Sequence, residues 1–271
     1  MTREVRTFVC ALALVSGIAI FSASRASAET VLNLAASSPQ DALNGGIFYS
    51  TDIQPTGTGV IQPFVRIQAK PTEEGYNTDG PIEFDTKDHT GQNWTHSITL
   101  SQVPIVTING VQYREFLLDI NETSTAQGRF LSMNEFQVYL STSNVLTGFN
   151  RTTMTFSTPG TATTNLVYDL DSGPNGDQLL RMDYSQASGS GSGDMFAYVK
   201  NSLFVGAGPY VYLYSKFGVP DASDAGFEEW AVRPGTNNPP PAIPLPASVW
   251  GGLTLLGFMG AAKIRSRRHS A

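Results

Sequence analysis

Short apolar segments alternate with polar turns along almost the whole chain. The apolar runs are rich in Val, Ile, Thr, Tyr and Phe, and Gly, Pro, Asn and Asp interrupt them at short intervals. No long stretch has the 3.6-residue period of an amphipathic helix, so the pattern predicts an all-β protein. The predicted strands are Val31–Ala35, Ile47–Thr51, Val60–Ala69, Trp94–Leu100, Val103–Ile108, Gln112–Ile120, Met133–Leu140, Thr152–Ser157, Thr163–Leu170, Gln178–Tyr184, Asp194–Val199, Tyr210–Ser215 and Phe227–Val232.

The segment VPIVTINGVQYREFLLDI contains the strongest local signal. Asn109 and Gly110 separate two apolar runs, and both residue types tolerate the positive φ of a two-residue type I′ turn, so we predict a β-hairpin here. In its second arm Phe116, Leu118 and Ile120 alternate with mostly polar residues, as they would if this face were buried.

This many strands indicates a single antiparallel β-sandwich, jelly-roll-like, over residues 29–233. Two smaller β-domains that part near residues 141–151 are the alternative. No change of composition marks that point, which favours one domain.

The N-terminus has the features of a secretory signal peptide over residues 1–28. Arg3 and Arg6 precede an apolar run, and the small residues at positions 26–28 suit signal peptidase. The single cysteine of the chain, Cys10, lies inside this segment, so the mature body has no thiol chemistry and no disulfide.

The C-terminus has three parts. Residues 234–246 are Pro-rich and predict a stiff, extended spacer. The apolar residues 247–264 predict a short transmembrane helix, whose uncharged part of 16 residues would span about 24 Å. The basic tail 265–271 would stay in the cytoplasm and leave the body outside the membrane.

This arrangement resembles the PEP-CTERM sorting signal of Gram-negative bacteria. The motif residues, which are similar to the Val-Pro-Leu-Pro-Ala subtype with Ile in place of Val, are Ile243, Pro244, Leu245, Pro246, Ala247 and Ser248. The resemblance implies cleavage near the motif by an exosortase and delivery of the body to the cell surface or matrix. Stretches such as NWTHSITL and GFEEWAV are also similar to uncharacterised domains found on such tails, which brings no known activity.

The charge of the body limits its partners. Of 17 basic and 23 acidic residues in the chain, 10 and 22 lie in residues 29–246, which gives 10 − 22 = −12. Such a surface repels phosphate backbones, so nucleic acid is excluded as a partner, whereas divalent cations and neutral glycans are compatible with it.

The segment VYDLDSGPNGDQL is the best candidate metal site. Asp169, Asp171, Asn175 and Asp177 offer the hard oxygen ligands that calcium prefers, although the Glu that would close an EF-hand loop is missing. The alternative is an ordinary Asp/Gly turn between two strands.

Tyr210, Tyr212 and Tyr214 share one face of a predicted strand. If exposed they would stack on sugar rings, and if covered by a loop they would belong to the core, which we favour.

These observations predict an exported, non-enzymatic protein without catalytic residues and without a certain cofactor. It would pass through an inner-membrane intermediate to the cell surface or matrix, with signal peptidase, exosortase, the membrane and exopolysaccharide as partners. The alternatives are a calcium-dependent carbohydrate-binding module and a secreted glycoside hydrolase or lyase.

Overall fold

A computed structural model describes residues 30–36, 42–50, 63–87, 94–157, 160–173, 176–186, 193–206 and 208–233. These residues form strands joined by turns, and their helical content is limited to short 3-10 turns at Leu34–Ala36, Tyr184–Gln186 and Asn201–Leu203. The prediction of an all-β protein is therefore confirmed.

Sheet A of the described chain contains the strands β1 (Thr30–Asn33), β5 (Glu73–Tyr76), β6 (Ile98–Thr99), β9 (Phe130–Ser141), β12 (Thr164–Asp169), β13 (Gln178–Asp183) and β15 (Tyr210–Phe217). They follow the order β1-β13-β9-β15-β5, with β12 on β9 and β6 on β15. The pairs are antiparallel except β1 with β13, which is parallel and departs from the expected purely antiparallel arrangement.

Sheet B contains the strands β2 (Ala42–Leu43), β3 (Gly46–Ser50), β4 (Pro63–Ile67), β7 (Ile105–Ile108), β8 (Val111–Asp119), β14 (Met195–Lys200) and β16 (Glu228–Ala231). They follow the order β2-β3-β14-β8-β16-β4, with β7 on β8, and the pairs are antiparallel. A separate hairpin joins β10 (Thr147–Asn150) to β11 (Thr155–Ser157).

Side chains of both sheets build the main hydrophobic cluster. Phe136 on β9 lies at its centre, with its ring centroid 5.6 Å from that of Phe48, 5.7 Å from Tyr168 and 5.0 Å from Trp230. Edge-to-face and tilted ring pairs of this kind add to the stabilisation that the buried apolar area already provides.

The other faces of the two sheets are also covered. Phe149 and Phe156 of the β10–β11 hairpin pack on Tyr76, Tyr139 and tyrosines of β15, on the outer face of sheet A. On β8, Glu115 alternates with the core residue Phe116 and yet is buried, because the Arg233 guanidinium binds its carboxylate with two contacts of 2.6 Å.

The predicted hairpin at Asn109 and Gly110 is confirmed. Ile108 pairs with Val111, and the two turn residues have φ of 50° and 80°. An L-residue other than Asn or Asp at Gly110 would be strained, because residues with a side chain rarely adopt a positive φ.

Several predicted boundaries differ from the structure. The pattern missed β5, because its sequence EEGY has no apolar alternation and its burial depends on pairing with β15. The segment predicted as Trp94–Leu100 forms only the two-residue strand β6, and β9 begins at Phe130 rather than Met133.

Within the part of the chain that the structure describes, no helix is long and apolar enough to cross a membrane. The predicted signal peptide, Pro-rich spacer, sorting motif, transmembrane helix and basic tail lie outside the described residues.

The ring contacts of Phe136 predict that its truncation is costly. Replacing Phe136 by Ala would lower the free energy of unfolding by roughly 3–5 kcal/mol, because it leaves a cavity between the sheets. Urea denaturation followed by tryptophan fluorescence would measure it. Val205→Ala is the control, since Val205 is 67% exposed and its truncation should change stability by less than about 0.5 kcal/mol. A loss below about 1 kcal/mol for Phe136→Ala would contradict this account of the core.

Candidate functional site

The acidic loop predicted as a calcium site connects β12 to β13. Asp169 ends β12 and its Oδ1 accepts a hydrogen bond from the Asp171 N–H at 2.9 Å. Asp171 Oδ1 in turn accepts from the Gln178 N–H at 2.7 Å, at the start of β13. Each of these carboxylates therefore uses one oxygen to shape the turn, as Asx turns commonly do.

The other two predicted ligands are placed differently. Asp177 is exposed at the end of the loop. Asn175 lies outside the described residues, and of the four predicted ligands the structure brings Asp169 and Asp171 together.

Glu135 on β9 is the residue of this site that the sequence analysis missed. The Leu170 N–H donates to the Phe136 carbonyl at 3.0 Å, which holds the start of the loop beside β9. This places the Glu135 carboxyl in hydrogen-bonding contact with that of Asp171. The alternation of β9 indicates that Glu135 faces away from the main core, but nothing in the local sequence indicates its neighbour across the sheet.

Burial dominates the electrostatics of this pair of acids. Burial is the largest cause that raises the pKa of Glu135 to about 8, the charges of Asp171 and Asp169 act in the same direction, and Lys216 acts against them. Burial likewise raises the pKa of Asp171 to about 6. Two partly buried carboxyls in contact cannot both ionise without cost, so the pair favours a shared proton or a bound cation.

The tyrosines predicted as a possible ligand face lie under the β10–β11 hairpin. Tyr212 and Tyr214 are fully buried, and Tyr210 is half-buried. The Tyr212 hydroxyl donates to the Ser143 carbonyl at 2.8 Å, and the Tyr214 hydroxyl donates to the Glu74 carboxylate. Enclosed in this way, Tyr212 and Tyr214 present no ring face on which a sugar could stack.

Sheet A brings the acidic loop and the tyrosines next to each other. Gln137 on β9 is paired in register with Asp169 of β12 on one side and with Tyr214 of β15 on the other. Its Oε1 also accepts a hydrogen bond from the hydroxyl of Tyr139. The two candidate groups, separate in sequence, are thus parts of one polar array on the outer face of sheet A.

The carboxyl groups of this loop and of β9 have suitable chemistry to bind a hard cation, but they are not arranged as a metal site. Carboxylate oxygens of Asp169, Asp171 and Glu135 are the ligand type that calcium prefers. Among the described residues, however, no three His, Asp or Glu side chains already form a metal-binding group. A cation would therefore require these side chains to rotate toward it.

Comparisons with protein-family models, with curated proteins and with solved structures returned no match. The residues of the chain itself are therefore the basis for any assignment of function.

The raised pKa of Glu135 predicts how stability depends on pH. A carboxyl whose pKa is raised on folding favours the folded state at low pH, and this contribution disappears as the pH rises through about 8. Glu135→Gln cannot ionise, so the variant should lose less stability than the wild type between pH 5 and pH 9. Urea midpoints at both pH values would measure the difference.

Asp177→Asn is the matched control, because it removes a carboxylate of the same loop that is exposed. It should follow the wild-type pH dependence more closely than Glu135→Gln does. Equal pH dependence of wild type and Glu135→Gln would contradict the raised pKa of the acid at this position.

Proposed function

We propose that the chain is a non-enzymatic protein that is exported and then sorted to the cell surface or extracellular matrix. The observation that carries the proposal is the order of features at the C-terminus: the motif Ile243 to Ser248, an apolar segment and a basic cluster. Signal peptidase and an exosortase would process the two ends. The body would associate with exopolysaccharide or a biofilm matrix.

The described sheets are compatible with this role. They form an all-β body with antiparallel sheets around a shared core, and we propose that this body is a single jelly-roll-like sandwich. The mature region has no cysteine, so its stability outside the cell would rest on packing rather than on disulfides.

A second candidate function is a calcium-dependent carbohydrate-binding module. The observation that favours its calcium part is the contact between Glu135 and Asp171, which adds a carboxyl to the acidic loop. Its carbohydrate part would need a surface other than the rings of Tyr212 and Tyr214, because both are buried.

Processing of the C-terminus tests the main proposal. In a host that contains an exosortase, the exported protein should have the intact mass of a chain that ends near Pro246, and in a host without it the tail should remain. Replacing both Pro244 and Pro246 by Ala should abolish the difference between the two hosts.

The control for this variant is Ala at both Pro239 and Pro240, in the spacer upstream of the motif, which should leave processing unchanged. If the tail remains in both hosts, the chain is a membrane protein with a C-terminal anchor, and the proposed sorting route is wrong.

Calcium titration tests the second candidate. Calcium should promote retention of the purified full chain on the host's exopolysaccharide, and Glu135→Gln and Asp171→Asn should each weaken this effect several-fold. Retention that is independent of calcium, or no retention at all, would count against a calcium-dependent module.

A further inference from the structure

The tip of the β7–β8 hairpin in sheet B borders a groove, whereas the acidic loop and the tyrosines discussed above belong to sheet A. The groove has a volume of about 620 Å³, and its lining residues are Thr107, Gly110, Val111, Gln112, Asn201 and Ser202. Sites for small molecules commonly have volumes of about 300–1,000 Å³. The groove is therefore large enough for a small ligand or for a segment of a polymer.

Strand pairing decides which side of the hairpin the groove occupies. Thr107 and Gln112 are directly paired across the hairpin, so their side chains leave the same face of sheet B. Gln112 lies four residues before Phe116, a residue of the main core, and faces the same way. Phe116 is buried, whereas Thr107 and Gln112 are exposed, so the hairpin extends past the core at this point.

A series of hydrogen bonds holds the opposite wall of the groove. Arg114 Nη1 donates to the carbonyls of Leu100 and Val103 at 2.8 and 2.7 Å. Its Nε donates to Asn201 Oδ1 at 2.8 Å, and Asn201 Nδ2 donates to Gln112 Oε1 at 3.4 Å. The amide groups on the two walls are thus fixed before a ligand arrives, which lowers the entropy lost on binding.

The groove keeps hydrogen-bonding groups available for a ligand. The contact between Asn201 and Gln112 uses one N–H of the first amide and the carbonyl of the second. Each primary amide has two N–H donors, and each hydroxyl can both donate and accept. In the hydrogen bonds among the described residues, the hydroxyls of Thr107 and Ser202 have no part, and both residues are exposed.

The lining favours one class of ligand. Its six residues carry no formal charge, and Val111, which is 43% exposed, adds an aliphatic surface beside the amides and hydroxyls. A sugar ring has hydroxyls at its rim and C–H groups on its faces, so it matches this mixture. A polyanion would find no basic side chain in the lining and would be repelled by the excess of acidic residues in the body.

We propose that this groove binds a neutral polysaccharide through the side chains of Thr107, Gln112, Asn201 and Ser202. The exposed position of three of these residues leaves the groove open to a long chain. This inference gives the proposed association with exopolysaccharide a location and rests on that proposal for its choice of ligand. It does not depend on the proposed export route.

Affinity electrophoresis of the purified full chain tests the groove. Dextran, galactomannan and xyloglucan are neutral polysaccharides, and at least one of them in the gel should retard the wild type relative to a gel without polymer. Alginate, an acidic polysaccharide, should not retard it. Gln112→Ala should weaken the retardation several-fold, because it removes an amide from the wall of the groove at an exposed position.

Gln102→Ala is the matched control. Gln102 is another exposed glutamine and lies just before β7, and its Oε1 accepts from the Thr99 N–H at 2.8 Å instead of lining the groove. This variant should keep the wild-type retardation. Thr107→Val preserves the shape of the side chain but removes its hydroxyl, so it should also weaken the retardation, and it provides the test if Gln112→Ala does not fold.

The outcomes separate the groove from the wider proposal. If a neutral polymer retards the wild type, Gln112→Ala and Thr107→Val as strongly as it retards Gln102→Ala, the groove is overturned while the association with polysaccharide stands. If no neutral polymer retards the wild type, the association and the groove are both overturned, and the processing of the C-terminus is still decided by the comparison of hosts. Stronger retardation by alginate than by the neutral polymers would overturn the proposed class of ligand.

Discussion

Strand β9 is covered on both faces and paired along both edges. The positions of sheet B, of the β10–β11 hairpin and of the neighbouring strands all depend on this burial of β9. Along one edge it pairs with β15, and along the other with β12 and β13 in succession. Phe136 on one face requires the side chains of sheet B, and Tyr139 on the other requires the β10–β11 hairpin. Removing either cover would expose large aromatic surfaces to water, at a cost proportional to their area.

Covering both faces also buries acidic groups, and the structure balances them in different ways. Glu115 is paired with the Arg233 guanidinium, so its charge has a partner of opposite sign in direct contact. Glu135 and the Glu73–Glu228 pair instead contact other carboxyls, and burial raises the pKa of each. Buried like charges of this kind need a proton or a cation.

Packing, rather than a covalent link, holds the two sheets together. A body without cysteines cannot use disulfides to join its sheets.

Local sequence determined the all-β class, the hairpin at Asn109 and Gly110, and the alternation of β8 and β9, because turn conformation and the period of two depend on neighbouring residues alone. It also indicated that Asp169 and Asp171 would lie in one turn. Tertiary structure alone decided that EEGY forms β5, that Glu135 meets Asp171, and that Glu73 meets Glu228. Strand pairing brings these residues together from distant parts of the chain, and no local pattern records which segments will become neighbours.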